Sequence, residues 1–333
     1  DNLFFIKLIG MKKISVVILI FILATACSCE KKDVIGKRVF YDADHFVMGA
    51  DLSYVNQIVD FGGQYKDSGT VKDPYLIFSQ YGTNVVRLRL FHNPTWTMEI
   101  YGNEGEQLYN DYNDVKRAIK QSKSNGMAVC LDFHYSDNWA DPSKQRVPAA
   151  WDGLTIQALH DSIYSYTYET LSKLDDEGLM PEYVQVGNEI NPGFLLPQGD
   201  RYNNNEANFV YLINSAIKGV RDAGQSSSID PRIIIHVAQP ENILNWFDGL
   251  DQAGLTDYDI VGLSYYYIWS EINIGGVSDQ IRQIRAKLNR DVMVMETCFP
   301  FTRDNADDYP NIAAFDKLPV SGFNATIDGQ YNY

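Results

Sequence analysis

The sequence predicts a single (β/α)8 TIM barrel of the α/β class, and three observations carry that expectation. First, seven short apolar or β-branched runs punctuate residues 40–300: 46–53, 83–91, 127–135, 183–190, 232–238, 258–266 and 291–297. Second, amphipathic stretches lie between them, clearest at Asp111–Ser124, Leu154–Asp176, Glu206–Ala223 and Gly276–Leu288, with apolar residues three and four apart. Strands separated by helices imply parallel βαβ units. Third, no Gly-x-Gly-x-x-Gly follows the first strand and no phosphate loop is present, which disfavours a nucleotide-binding doubly wound sheet.

The 333 residues suffice for one large domain with its own core. No Pro/Ser-rich linker divides them. The strand starts fall about 41 residues apart, which places an eighth start where the chain stops. The barrel therefore reads as truncated before its eighth strand.

Composition narrows the function. Hydrophobic residues make up 45% and charged residues 21%, which excludes a disordered chain. Lys+Arg totals 28 against Asp+Glu 43, a net charge of −15, which argues against nucleic acid and against an anionic membrane surface as partners. The 22 tyrosines and 5 tryptophans offer planes that can stack on sugars or simply fill the core.

Residues 1–30 read as upstream residues and a lipoprotein signal peptide. Met11-Lys12-Lys13 precedes an apolar run from Ile14 to Leu23, then Ala24-Thr25-Ala26-Cys27. That run is too short to span a bilayer. Cleavage before Cys27 would leave a lipidated cysteine, the only route to a membrane, with residues 31–45 as tether and lead-in to a catalytic domain over 46–333. The expected location is the bacterial outer membrane or cell surface, and otherwise secreted or periplasmic. Cys130 and Cys298 sit in β-like runs and are expected as small buried residues.

In a barrel the C-terminal ends of the strands carry the chemistry. Here those ends are polar: Arg87-Leu88-Arg89, Asp132-Phe133-His134 continuing to Asp137, Asn188-Glu189, Ser264-Tyr265-Tyr266 and Glu296-Thr297. Glu189 ends the fourth strand and Glu296 the seventh, each after an apolar run. Desolvation raises a carboxyl pKa and a neighbouring cation lowers it, so one of the pair can stay protonated while the other ionises. That is the requirement for cleaving a glycosidic bond with retention, with the two carboxyls about 5–5.5 Å apart. Arg89 or Arg87 could hold Glu296 ionised, Tyr265 could donate to it, and Asn188 could bond a sugar 2-hydroxyl. Trp139, Trp151 and Trp269 either stack on sugar or pin loops. His134 and His236 lack the spacing of a zinc pair, and no Gly-x-Ser-x-Gly elbow appears.

The stretches GADLS (49–53), NVVRLRLFHNP (84–94), LDFHYSDNWADPSKQ (131–145), VQVGNEINPG (184–193), GLSYYYIW (262–269) and VMETCFPFT (294–302) resemble glycoside hydrolase family 53, the endo-β-1,4-galactanases. The resemblance implies Glu189 as acid/base and Glu296 as nucleophile, and hydrolysis of β-1,4-galactan, with no cofactor needed for the chemistry. The expected substrate contacts are Arg89, Asp132, His134, Asp137, Trp139, Asn188, Tyr265 and Trp269, and it is the resemblance that makes His134 one of them. It departs from the family at Tyr267, Ser270 and the final strand. Relatives with calcium in the loop after strand seven point to Asn305, Asp307 and Asn311 as oxygen ligands, against a merely solvated acidic loop. A monomer is expected. Two readings compete: another retaining β-glycanase of the same clan, acting on mannan or xylan, and a non-catalytic glycan-binding lipoprotein.

Overall fold

The computed structural model describes residues 46–98, 107–203, 205–305 and 322–333. Seven parallel strands form one curled sheet in chain order: β1 (Gly49–Asp51), β2 (Val85–Leu90), β3 (Ala128–Phe133), β4 (Tyr183–Val186), β5 (Arg232–Ala238), β6 (Ile260–Tyr265) and β7 (Asp291–Thr297). Every described junction between neighbours is parallel, from Gly49 opposite Val85 to Tyr265 opposite Thr297. A two-stranded hairpin, Lys66–Asp67 with Thr70–Val71, stands apart.

Alternation along the strands sorts the side chains into two layers. Val86, Leu88 and Leu90 of β2, Val129, Leu131 and Phe133 of β3, and Ile233, Ile235 and Val237 of β5 join the core that the helices cover. The residues between them, Arg87, Asp132, Gln185, His236 and Ser264 among them, meet one another on the opposite face. Strands β2, β3, β4 and β6 are buried throughout, and β5 from its second residue onward. β1 and β7, at the two ends of the strand order, are each partly exposed.

The helices begin where side chains can satisfy their first amides. Asp111 accepts from Asp114 N at the start of α3 (Tyr112–Ser124), Thr155 from Ala158 N before α4 (Ile156–Asp176), and Asn273 from Gly276 N before α7 (Ile274–Leu288). Helix α5 (Glu206–Gln225) packs against α4. The expected helices agree with these to within two residues at each end. Four short helices carried too few turns to show a period: α1 (Val55–Asp60), α2 (Pro74–Gln80), α6 (Pro240–Trp246) and α8 (Ile327–Asn332).

Seven strands make up the main sheet among the described residues, and residues 306–321, between β7 and α8, lie outside them. Cys130 is buried as expected, whereas Cys298 is only half-buried because it follows the end of β7. No helix among the described residues is long and apolar enough to cross a membrane. Residues 1–45, including Cys27, lie outside the described residues.

Candidate active site

The C-terminal tips of the strands bring Glu189 and Glu296 into one hydrogen-bonded cluster, each by a local departure from regular structure. After β4 the chain turns through Gly187 at φ +79° and Glu189 at φ +46°. A Cβ on Gly187 would meet Ile190 Cγ2 at 2.7 Å, so only glycine fits there. The left-handed backbone at Glu189 costs about 1–2 kcal/mol for an L-residue. It lets Gln145 Nε2 cap the carbonyls of Asn188 (2.7 Å) and Glu189 (3.2 Å) while the carboxylate turns toward β6.

Glu296 depends on a bulge in β7. Val294 pairs with Leu263, yet Ser264 pairs with Glu296, so Met295 is the extra residue. Simple alternation from Val294, whose partner Leu263 faces the helices, would turn Glu296 to the helix side as well. The bulge restores it to the face of Ser264. Gly262 makes the room: a Cβ there would sit 2.8 Å from Met295 Cγ.

One guanidinium organises the floor. Arg87 reaches Glu296 Oε1 at 2.9 Å, Asp132 Oδ2 at 2.7 Å, Asp51 Oδ2 at 3.0 Å, Asn188 Oδ1 at 2.7 Å and Gln185 Oε1 at 3.0 Å. Burial works against its charge, but Asp132, Glu296 and Asp51 hold its pKa above the usual value. Burial alone would push Glu296 up. Arg87 leads the groups that reverse this, with Arg89 and the Tyr266 hydroxyl behind it, and the carboxyl falls to about 2. Tyr266 donates to Glu296 Oε2 at 2.8 Å.

Glu189 has the opposite surroundings. Burial raises its pKa, the negative charge of Glu296 raises it further, and the Ser264 hydroxyl and Arg87 only partly offset this, leaving it near about 7. Ser264 Oγ donates to Glu189 Oε1 at 2.5 Å and lies 2.9 Å from His236 Nε2. His236 is fully buried, and burial drops its pKa to about 4, so the ring is neutral at ordinary pH.

Several expected substrate contacts sit beneath the site. Asp132, His134 and Asn188 are 0%, 1% and 0% exposed, so a sugar cannot reach them as they stand. Asp132 anchors Arg87. His134 Nδ1 accepts from Ala140 N at 3.0 Å. Asn188 spends its amide on Ala140 O at 2.8 Å and its carbonyl oxygen on Arg87. Asp137 is a loop staple, its two oxygens accepting from Asn93 N (3.0 Å) and Ala149 N (2.7 Å). Tyr265 points into the helix-covered core, one position out of phase with Ser264, and Tyr266 takes the role expected of it.

Arg89 does not bond Glu296 directly. It pairs with Asp51 at 2.9 Å and lies over the Trp139 ring at 4.3 Å, which occupies one face of that indole. Trp151 is buried against His92 and Tyr166 and pins its loop. Trp269 stays 56% exposed, its ring 5.0 Å from Tyr266.

Of the expected calcium ligands, Asn305 is on an exposed segment, and Asp307 and Asn311 lie outside the described residues. The described residues contain no group of three His, Cys, Asp or Glu placed to hold a metal ion.

Ser264, His236 and Gln185 belong to the site although nothing in their local sequence assigns them a role there. The available signal is a single polar residue inside each of three apolar runs: Gln185 in β4, His236 in β5 and Ser264 in β6.

Comparison with known proteins covers the same region. The chain is 39% identical over 295 residues to an arabinogalactan endo-beta-1,4-galactanase of Cellvibrio japonicus, spanning 88% of this chain and 76% of the relative. The fold superimposes on the GH53 catalytic domain of Ignisphaera aggregans with TM-score 0.77 at 33% identity, covering 86% of this chain and 78% of the other. It also matches a structure from a study of two fungal beta-1,4-galactanases with TM-score 0.73 at 30% identity, covering 86% and 82%. Residues 47–333 match Glycosyl hydrolase family 53, a span that contains both glutamates and every strand tip around them, and the chain belongs to that family of glycoside hydrolases.

Proposed function

We propose that this protein is a retaining endo-β-1,4-galactanase in which Glu296 is the nucleophile and Glu189 the acid/base. The observation that carries the assignment is the opposed electrostatics of two neighbouring carboxyls. Arg87 and Tyr266 keep Glu296 ionised, while burial and the charge of Glu296 keep Glu189 protonated toward neutral pH.

The chemistry follows by double displacement. The Glu296 carboxylate attacks the anomeric carbon, and the bond to the leaving oxygen breaks as Glu189 gives that oxygen its proton. The product of this step is a glycosyl ester on Glu296 with inverted configuration. Glu189, now ionised, takes a proton from water as that water attacks the same carbon. The ester breaks, the second inversion restores the original configuration, and both glutamates return to their starting states. Arg87 compensates the charge on Glu296 as it forms and leaves the ester.

Galactan as substrate rests on the relatives named above. Exposed Trp269 beside Tyr266 supplies an aromatic plane at the rim of the site on which a sugar ring can stack. A lipid anchor at Cys27 would hold the enzyme at the cell surface, where polymeric substrate is met; Cys27→Ser should then move it from the membrane fraction to the soluble one.

The decisive experiment offers β-1,4-galactan, mannan and xylan to the enzyme and follows the anomeric form of the first product by NMR. Oligosaccharides from galactan, released first as the β-anomer, are expected. A preference for mannan or xylan would overturn the substrate, and initial α-anomer would overturn the mechanism.

A further inference from the structure

The acid/base oxygens of Glu189 are not equivalent. Oε1 accepts from Ser264 Oγ at 2.5 Å, whereas Oε2 has no hydrogen-bond partner among the described residues. Ser264 is fully buried, and its hydroxyl has one other neighbour, His236 Nε2 at 2.9 Å. The direction of the Ser264 proton therefore depends on where His236 carries its own.

Two amide donors face His236 Nδ1: Gln185 Nε2 at 3.1 Å and the backbone N–H of Glu189 at 3.4 Å. Asn188 Oδ1 is 3.0 Å from the same nitrogen, but it already accepts from Arg87 at 2.7 Å and from Gln185 at 3.1 Å. Gln185 Nε2 also faces Gly187 O at 3.1 Å, so its two protons are shared among three acceptors, whereas the Glu189 N–H has Nδ1 as its acceptor; with Nδ1 accepting from that amide, Nε2 carries the proton. Nε2–H then donates to Ser264 Oγ, and the serine proton is left with one acceptor, Glu189 Oε1.

We propose that Ser264, oriented by His236, is a positioning residue for the acid/base: it occupies Oε1 permanently, so that Oε2 alone gives the proton to the leaving oxygen and takes it back from water. The proposal rests on the reading of Glu189 as acid/base. The chain of donors runs from the backbone N–H of Glu189 through His236 and Ser264 to the carboxyl of the same residue. The left-handed turn at Glu189 is what points its N–H and its carboxyl at neighbouring strands β5 and β6.

The same bond has a consequence for acidity. The charged groups facing Glu189 are Glu296 on β7, Arg87 on β2 and Asp141 in the loop after β3, with neutral His236 and Ser264 on β5 and β6. A hydroxyl that donates to Oε1 stabilises the anion more than the acid. Without it, the first step keeps its acid to higher pH, and the second step loses some of its base.

The test is the pH dependence of kcat/KM on β-1,4-galactan for Ser264→Ala and Ser264→Thr. Ser264→Ala is expected to move the alkaline limb upward by about one pH unit, the worth of one hydrogen bond to a charged group, and to lower kcat about tenfold, a fraction of what acid–base catalysis supplies. Ser264→Thr, which keeps the hydroxyl, should return the limb to its original position. An unmoved limb would make Ser264 a packing residue and overturn the proposal. A downward shift would also overturn it, because it would mean that Glu189 donates to Ser264 and His236 holds the opposite tautomer. Glu189→Gln assayed on an aryl β-1,4-galactobioside with a good leaving group separates the two readings. Retained release of the phenol with a slow, azide-accelerated second step supports Glu189 as acid/base whatever Ser264 does; loss of both removes that reading itself.

Discussion

Glu189 and Glu296 are the same side chain at the tips of two strands of one sheet, both largely withdrawn from water, and they differ in what stands beside them. Glu296 faces the Arg87 guanidinium and a tyrosine hydroxyl; Glu189 faces a serine, a neutral histidine and the negative charge of Glu296 itself. Burial penalises both charges equally in kind, so the partner decides which carboxyl keeps its proton. The division of labour is thereby written into β2, which contributes the cation, and into β5 and β6, which contribute only neutral groups.

The largest effect should come from removing the nucleophile. Glu296→Ala is expected to lower kcat on galactan by on the order of 10⁴-fold or more; activity within tenfold of the parent would dissolve the comparison. Glu189→Gln should cost about 10²–10⁴-fold on the same substrate, the usual share of acid–base catalysis, and a loss as deep as that of Glu296→Ala on activated aryl substrates as well would show that the two roles are not separable.

Arg87→Met tests the source of the asymmetry. It strands Glu296, Asp132 and Asp51 without their common cation, so urea unfolding should show a loss of about 3–5 kcal/mol. The acidic limb of the pH profile should rise with the Glu296 carboxyl. An unchanged limb would mean that Arg87 does not set the charge of the nucleophile.

Tyr266→Phe removes one charge-assisted bond and should raise the acidic limb by about one pH unit, whereas Tyr265→Phe should leave it in place. The reverse pattern would contradict the strand phase described here.

The smallest effect is on stability. The folded-state pKa of Glu189 lies above that of the unfolded chain, so its contribution is present at low pH and is lost as pH rises through about 7. Glu189→Gln should therefore unfold at higher urea than the parent at pH 8 and at nearly the same urea at pH 4. Equal unfolding curves for parent and variant at both pH values would show that Glu189 is not held protonated by its surroundings.

Much of this was legible before any coordinates. The apolar runs located all seven strands, with the ends trimmed by a few residues where backbone pairing stops and the tips begin. The long helices were legible for the same reason: α3 and α4 repeat their buried residues over several turns and open on a capping side chain. Pro74–Gln80 and Pro240–Trp246 are two turns each, too short for a period to register. In the site, both glutamates stood out as charges closing apolar runs. Asp132, His134 and Asn188 stood out equally, and nothing in their local sequence shows that they lie under the floor instead of on it.

Sequence alone determined the alternation of strands and helices, the parallel sheet, and which strand tips carry ionisable groups, because period and burial are properties of a few neighbouring residues. The tertiary structure decided the rest. It showed that a bulge at Met295, accommodated by Gly262, turns Glu296 inward, and that Tyr266 and not Tyr265 meets it. It showed that Arg87 gathers three carboxylates, and that Ser264 and His236 stand behind Glu189. Those choices depend on register between strands and on distances across the barrel mouth, which join residues far apart along the chain and leave no local trace in it.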